Sequence, residues 1–129
     1  MNILDKENIT GVAALLVHAA KIDEIYSDHE KILIEQFIKS YSKDNDQKEI
    51  LKKAEEIEKN SNQLLNFTNI IKKNTNEIKS DIIEHLWKII ISDKTVDQYE
   101  SNLMRRICGL IYFPDKMSAE IKLRLMNNK

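Results

Sequence analysis

Glycine and proline are nearly missing, with two of the first and one of the second among 129 residues. Hairpins and tight βα turns depend on those residues, so a sheet-rich fold is hard to build from this chain. Cysteine occurs once, as Cys108, which excludes an intramolecular disulfide and fits a reducing compartment. Arginine is scarce too: only Arg105, Arg106 and Arg124 stand among the 20 cationic residues. There is no basic stripe to displace counterions from a phosphate backbone, and the net charge is -1, so nucleic acid is not an expected partner. The longest apolar stretch, Val12 to Ala20, contains His18 and is too short to span a bilayer. The first residues, Met1 to Glu7, lack the basic-then-apolar order of a signal peptide. A soluble, cytoplasmic protein without a membrane span is expected.

What the chain does have is helical periodicity almost everywhere. Ile9, Val12, Ala13, Leu16 and Ala20 form one stripe; Glu30, Leu33, Ile34, Phe37 and Tyr41 form another. Ile50, Leu51, Ala54 and Ile57 make a thinner one inside the strongly charged segment Asp44 to Lys59. Leu64, Phe67, Ile70 and Ile71 follow, then Ile78, Ile82, Leu86, Ile89 and Ile90. Tyr99, Leu103, Ile107, Leu110 and Ile111 make a sixth stripe. A short last helix begins near Pro114, whose missing N–H costs nothing there, and carries Met117, Ile121 and Leu125. Ser27-x-x-Glu30, Asp46-x-x-Glu49 and Asp97-x-x-Glu100 have capping-box spacing, and Asn74 to Asn76 supply a cap for the fifth helix. No linker divides the chain. An all-α, compact bundle of about seven helices in one domain, residues 1–129, is expected; at this length it buries roughly two thirds of its unfolded surface.

One pattern occurs twice: an amphipathic helix, an acidic turn, and a second amphipathic helix. Leu16 matches Leu86, Asp23 matches Asp93, Glu30 matches Glu100, and Leu33 matches Leu103. Two D-x6-E turns in the same apolar frame point to internal duplication, with residues 9–41 equivalent to 78–111.

The turns Asp23-x-x-x-Ser27-x-x-Glu30 and Asp93-x-x-x-Asp97-x-x-Glu100, with Leu86-Trp87 before the second and Leu103-Met104-Arg105-Arg106-Ile107 after it, resemble the bacterial tellurite-resistance TerB family. Leu64 to Thr68 also resembles the middle helix of its short, stand-alone branch. The similarity runs from about Ile9 to Leu125. It implies an all-helical fold with two similar helix pairs and a role near stress response. Members of the wider family occur alone, beside other tellurite-resistance proteins, or as the front domain of a DnaJ-like co-chaperone. The family usually has glycine directly after the turn aspartate, where this chain has Glu24 and Lys94.

Each acidic residue has a structural and a chemical reading. Glu30 and Glu100 stand at the third helical position, where a capping box alone accounts for them; Ser27 and Asp97 are helix caps first. Asp23 and Asp93 fall near helix C-termini, where the macrodipole disfavours negative charge, so each wants a counter-charge. That counter-charge is either a cation or an arginine. Asp23, Glu30, Asp93, Asp97 and Glu100 are all hard oxygen ligands, suited to Ca²⁺ or Mg²⁺ over Zn²⁺, although the spacing is not an EF-hand loop. Arg105 and Arg106, one to two turns past Glu100, would instead bridge the acids and make them purely structural. His18, His29 and His85 have no metal-ligand spacing among themselves. Cys108 reads as a small core residue and Trp87 as a core anchor between the repeats. No Ser–His–Asp order, phosphate-cradling glycine loop or HExxH is present, so no catalytic residue is expected. Two functions stay open: a TerB-type stress module whose acidic turns hold a divalent cation, and a helical adaptor that takes a protein partner in an exposed apolar groove.

Overall fold

The computed structural model describes residues 6–22, 26–42, 46–60, 65–91 and 98–127, and among these every regular element is a helix. In chain order they are α1 Lys6–Ala20, α2 Asp28–Tyr41, α3 Gln47–Asn60, α4 Leu65–Lys72, α5 Asn76–Ile91, α6 Gln98–Ile111 and α7 Asp115–Asn127. One cluster of buried apolar side chains draws on all seven, from Ile9 on α1 to Ile121 on α7.

Helix α1 is the axis of the bundle. Every residue from Ile9 to Val17 is buried, not only the stripe that periodicity picks out, because α2, α3, α4 and α5 all pack on it. Its small residues permit that crowding. A Cβ on Gly11 would sit 2.5 Å from Ile70 Cδ1 of α4, so the tip of the Ile70 side chain occupies the space that a larger residue would need. Helix α5 is the second buried element, and it packs on α1, α2 and α7. Here the interior is filled by size: Ile82, Ile83, Leu86, Trp87, Ile89 and Ile90 are all buried.

The two helix pairs share this plan only in part. In each, the first helix (α1 or α5) is central. The second helices find different company: α2 lies on α1, α3 and α5, whereas α6 lies on α4 and α7.

The helix ends follow from local chemistry. Thr75 caps α5 by accepting the Ile78 N–H at 3.3 Å, and the Asn74 side-chain amide donates to the Ile70 carbonyl at the end of α4 at 2.8 Å. Pro114 stands just before α7, and its carbonyl accepts the Ser118 N–H. Helix α6 stops at Tyr112, which takes the left-handed conformation with φ 60 while the Phe113 N–H bonds back to the Cys108 carbonyl. Trp87 is buried as expected, and its Nε1–H donates to Ser118 Oγ of α7 at 3.0 Å. Ser118 therefore faces inward on α7, and Met117, expected on the buried stripe, is 41% exposed.

Candidate functional site

The start of α2 is a polar feature closed by reciprocal hydrogen bonds. Ser27 is extended (φ -81, ψ 163), which aims its Oγ at the exposed amides of the first turn, and it accepts the Glu30 N–H at 3.2 Å. Glu30 answers by accepting the Ser27 N–H on Oε1 at 2.7 Å, completing the expected capping box. An ordinary N3 glutamate lies in solvent. Glu30 is 1% exposed, and its second oxygen, Oε2, is buried without a hydrogen-bond partner among the described residues.

Helix α3, the charged helix, packs on α2 and bonds the residues that lead into it. Tyr26 donates its hydroxyl to Glu55 Oε2 at 2.6 Å. Burial first, then that bond and the negative charges of Glu55, Glu30 and Glu35, push the Tyr26 ionisation far above its ordinary range. One turn along, Glu58 accepts Lys21 Nζ at 2.9 Å and pairs with His18 Nδ1 at 3.2 Å. Burial alone would raise the Glu58 carboxyl, but the Lys21 and His18 contacts outweigh it and hold the group below the usual carboxylate range. Lys31 and Lys21 also lie over the Tyr26 ring, 5.0 and 5.8 Å from its centroid. Lys21, His18 and Lys31 are thus engaged by Glu58 and Tyr26, and among the described residues no hydrogen-bond donor reaches Glu30 Oε2.

At the second turn Glu100 is likewise buried, at 3% exposure. Arg105 and Arg106 are both exposed and pair with no described acid, so among the described residues they do not bridge the carboxylates. Asp23, Asp93 and Asp97 lie outside the described residues. Among those described, no three His, Cys, Asp or Glu side chains converge as a metal site would require.

Sequence reasoning missed the part played by α3. The sequence marks the segment only as strongly charged, yet Glu55 and Glu58, three residues apart, bond Tyr26, Lys21 and His18. The signal available was Tyr26, an aromatic hydroxyl set inside an acidic turn. A second polar staple was missed as well: Tyr41 donates to Asp81 Oδ2 at 2.5 Å, joining α2 to α5, and His85 Nδ1 contacts the Asp81 carbonyl at 2.8 Å. His85 stacks edge-on to Phe37, with ring centroids 5.1 Å apart, and is a core-edge residue. Cys108 is buried and its thiol is pushed up, chiefly by that burial, which suits a packing role and not a nucleophile. No helix among the described residues is long and apolar enough to cross a membrane.

Comparison with curated proteins and with solved structures yields no match. Residues 10–123 match the family described as tellurite resistance protein TerB, a span that takes in both acidic turns and all seven helices in whole or in part. The chain belongs to the TerB family.

Proposed function

We propose that this TerB domain is a non-enzymatic, stress- or tellurite-resistance-associated module whose first acidic turn holds a hard divalent cation. The carrying observation is Glu30: a carboxylate 1% exposed, one oxygen spent on the helix cap and the other without a hydrogen-bond partner among the described residues. A buried charge left so costs several kcal/mol unless something compensates it. Oxygen donors of this kind suit Ca²⁺ or Mg²⁺. Glu30 would supply a ligand from α2, and Asp23, close in sequence, is the natural second. Asp93, Asp97 and Glu100 are the corresponding candidates of the second turn. The bound ion would do no chemistry beyond fixing the turn. With Glu24 and Lys94 in place of the family's glycine, a turn folding tightly onto an ion meets a conformational cost, so affinity should be modest.

Calorimetric titration of Ca²⁺ and of Mg²⁺ into chelator-treated protein tests this. Saturable binding that disappears in Glu30→Gln and Asp23→Asn supports it; no heat in the parent chain ends it. The wider role is tested by survival on tellurite of cells lacking the protein.

One observation favours the adaptor instead. Gly11, Ile57, Phe67 and Ile70 line a shallow apolar groove between α1, α3 and α4, with Glu7 and Lys53 at its edge, and Ile57 is 37% exposed there. Under that reading Ile57→Asp abolishes partner capture while Glu30→Gln leaves it intact.

A further inference from the structure

Helices α3 and α4 both pack on α1, and among the described residues they do not pack closely on each other. A groove is left between them. Gly11 of α1 stands at its floor, and its walls are apolar, with Ile57 from α3 and Phe67 and Ile70 from α4. It continues past Thr10 and Ile50 toward the start of α3. Beside α3 it runs from Glu49 to Asn60, which at 1.5 Å per residue is about 16 Å, or roughly three helical turns.

The rim is mostly of one charge. Glu7 on α1, with Glu49 and Glu56 on α3, lines it against Lys53 alone, and all four are exposed. Among the described residues none of the three acids is in an ion pair. Lys52 and Lys59 stand further round α3, outside the lining. Glu49 and Glu56, seven residues apart, share one side of α3 two turns from each other.

From this arrangement we infer that the groove between α3 and α4 receives a basic amphipathic helix of a partner protein, about three turns long. Its apolar stripe lies against Ile57, Phe67 and Ile70, and its lysines or arginines meet Glu7, Glu49 and Glu56. An apolar cleft with a polar rim suits a helix, whose stripe enters the cleft while the flanking positions reach the rim. An extended peptide has no strand to pair with among the described residues. Charge complementarity fixes the sign of the partner: a helix with acidic flanks would meet three carboxylates with one lysine to offset them. The inference rests on the adaptor reading, to which it adds the chemistry of the partner, and it involves neither acidic turn.

Fluorescence anisotropy of two labelled helical peptides, titrated with the full chain, tests it. Both carry the same leucine stripe at helical spacing; one has lysine at the remaining positions and the other glutamate. The lysine peptide should bind about tenfold more tightly or better, with the gap narrowing as salt screens the rim. Glu56→Lys should weaken it about fivefold, whereas Glu120→Lys, an equal change of charge on α7, should leave it unchanged. Ile57→Ser, at an exposed site, should weaken it severalfold with the circular dichroism spectrum unchanged. Equal binding of the two peptides, both lost in Ile57→Ser, overturns the basic partner and leaves the adaptor standing; binding of neither peptide overturns both. Weakening by Glu120→Lys as large as by Glu56→Lys would be attraction to net charge, and it overturns the inference. So does a chain that dimerises by itself and becomes monomeric in Ile57→Ser, since a second copy would then fill the groove.

Discussion

Helices α2 and α6 begin alike and are then treated differently. Each buries a glutamate in its first turn, Glu30 at 1% and Glu100 at 3% exposure. Over the first turn a third helix closes: Tyr26 bonds Glu55, and Lys21 and His18 bond Glu58, all to α3. The residue matching Tyr26 in the second copy is Val96, which has no hydroxyl to offer. There α6 leans on α4 and α7, and the cations that follow Glu100, Arg105 and Arg106, face solvent. The capping box with Ser27 accounts for a glutamate at the third position of α2. It does not account for Glu30 Oε2, which among the described residues has no hydrogen-bond partner, while Lys21 and Lys31 are engaged by Glu58 and Tyr26. Under the cation proposal, that difference favours the first turn over the second.

The same asymmetry runs through the two central helices, and there it is largest. Val17 on α1 and Trp87 on α5 occupy matching positions and both are buried. Trp87→Ala removes a ring and the Nε1–H bond to Ser118, and should cost about 3–5 kcal/mol; Val17→Ala should cost about 1–3 kcal/mol. Urea unfolding measures both. Equal losses would mean that the two halves share the core evenly, contrary to the packing described above.

Smaller, and more local, is the tie between α3 and the first turn. Tyr26→Phe keeps the ring and loses a hydrogen bond to a carboxylate, worth about 1–2 kcal/mol. Amide exchange should quicken along α3 and leave α6 unchanged; uniform quickening would show that α3 does not serve the first turn specifically.

The smallest effect is a pH dependence. Folding holds the Glu58 carboxyl below its ordinary value, so its contribution is present above the ordinary carboxylate range and fades as pH falls through the lowered value. Lys21 and His18 are each partly exposed, at 38% and 41%, so solvent screens the pair and about 0.2–1 kcal/mol is expected. Glu58→Gln should flatten the acid limb of a plot of stability against pH by that amount. An unchanged limb would remove Glu58 from the account.

Much of the fold was legible because large apolar residues recur at helical spacing, and the Ser27-x-x-Glu30 box was legible because a cap needs those residue types at that distance. Three things were not. Counting large apolar residues cannot show that α1 is buried all round, since Gly11, Ala14 and Ala19 matter there for what they lack. The charges of α3 gave no hint that Glu55 and Glu58 point toward the first turn, because an acid on an enclosing helix and an acid in water look the same in a sequence. The left-handed end of α6 is occupied by Tyr112, where glycine would have been the visible signal. At the candidate site, Glu30 and Glu100 were found by spacing, but the unpartnered oxygen of Glu30 is a fact of packing that no spacing encodes.

Thermal melting of the chelator-treated chain across a millimolar titration of Ca²⁺ and of Mg²⁺ tests the central claim most directly. An ion that binds the folded turn, and has no site on the unfolded chain, raises the melting temperature by mass action. The account predicts a modest rise with either or both ions, reversed by chelator, and lost in Glu30→Gln while Glu100→Gln retains most of it. A melting temperature that stays flat throughout the titration, or a Glu30→Gln chain that responds as the parent does, would contradict it.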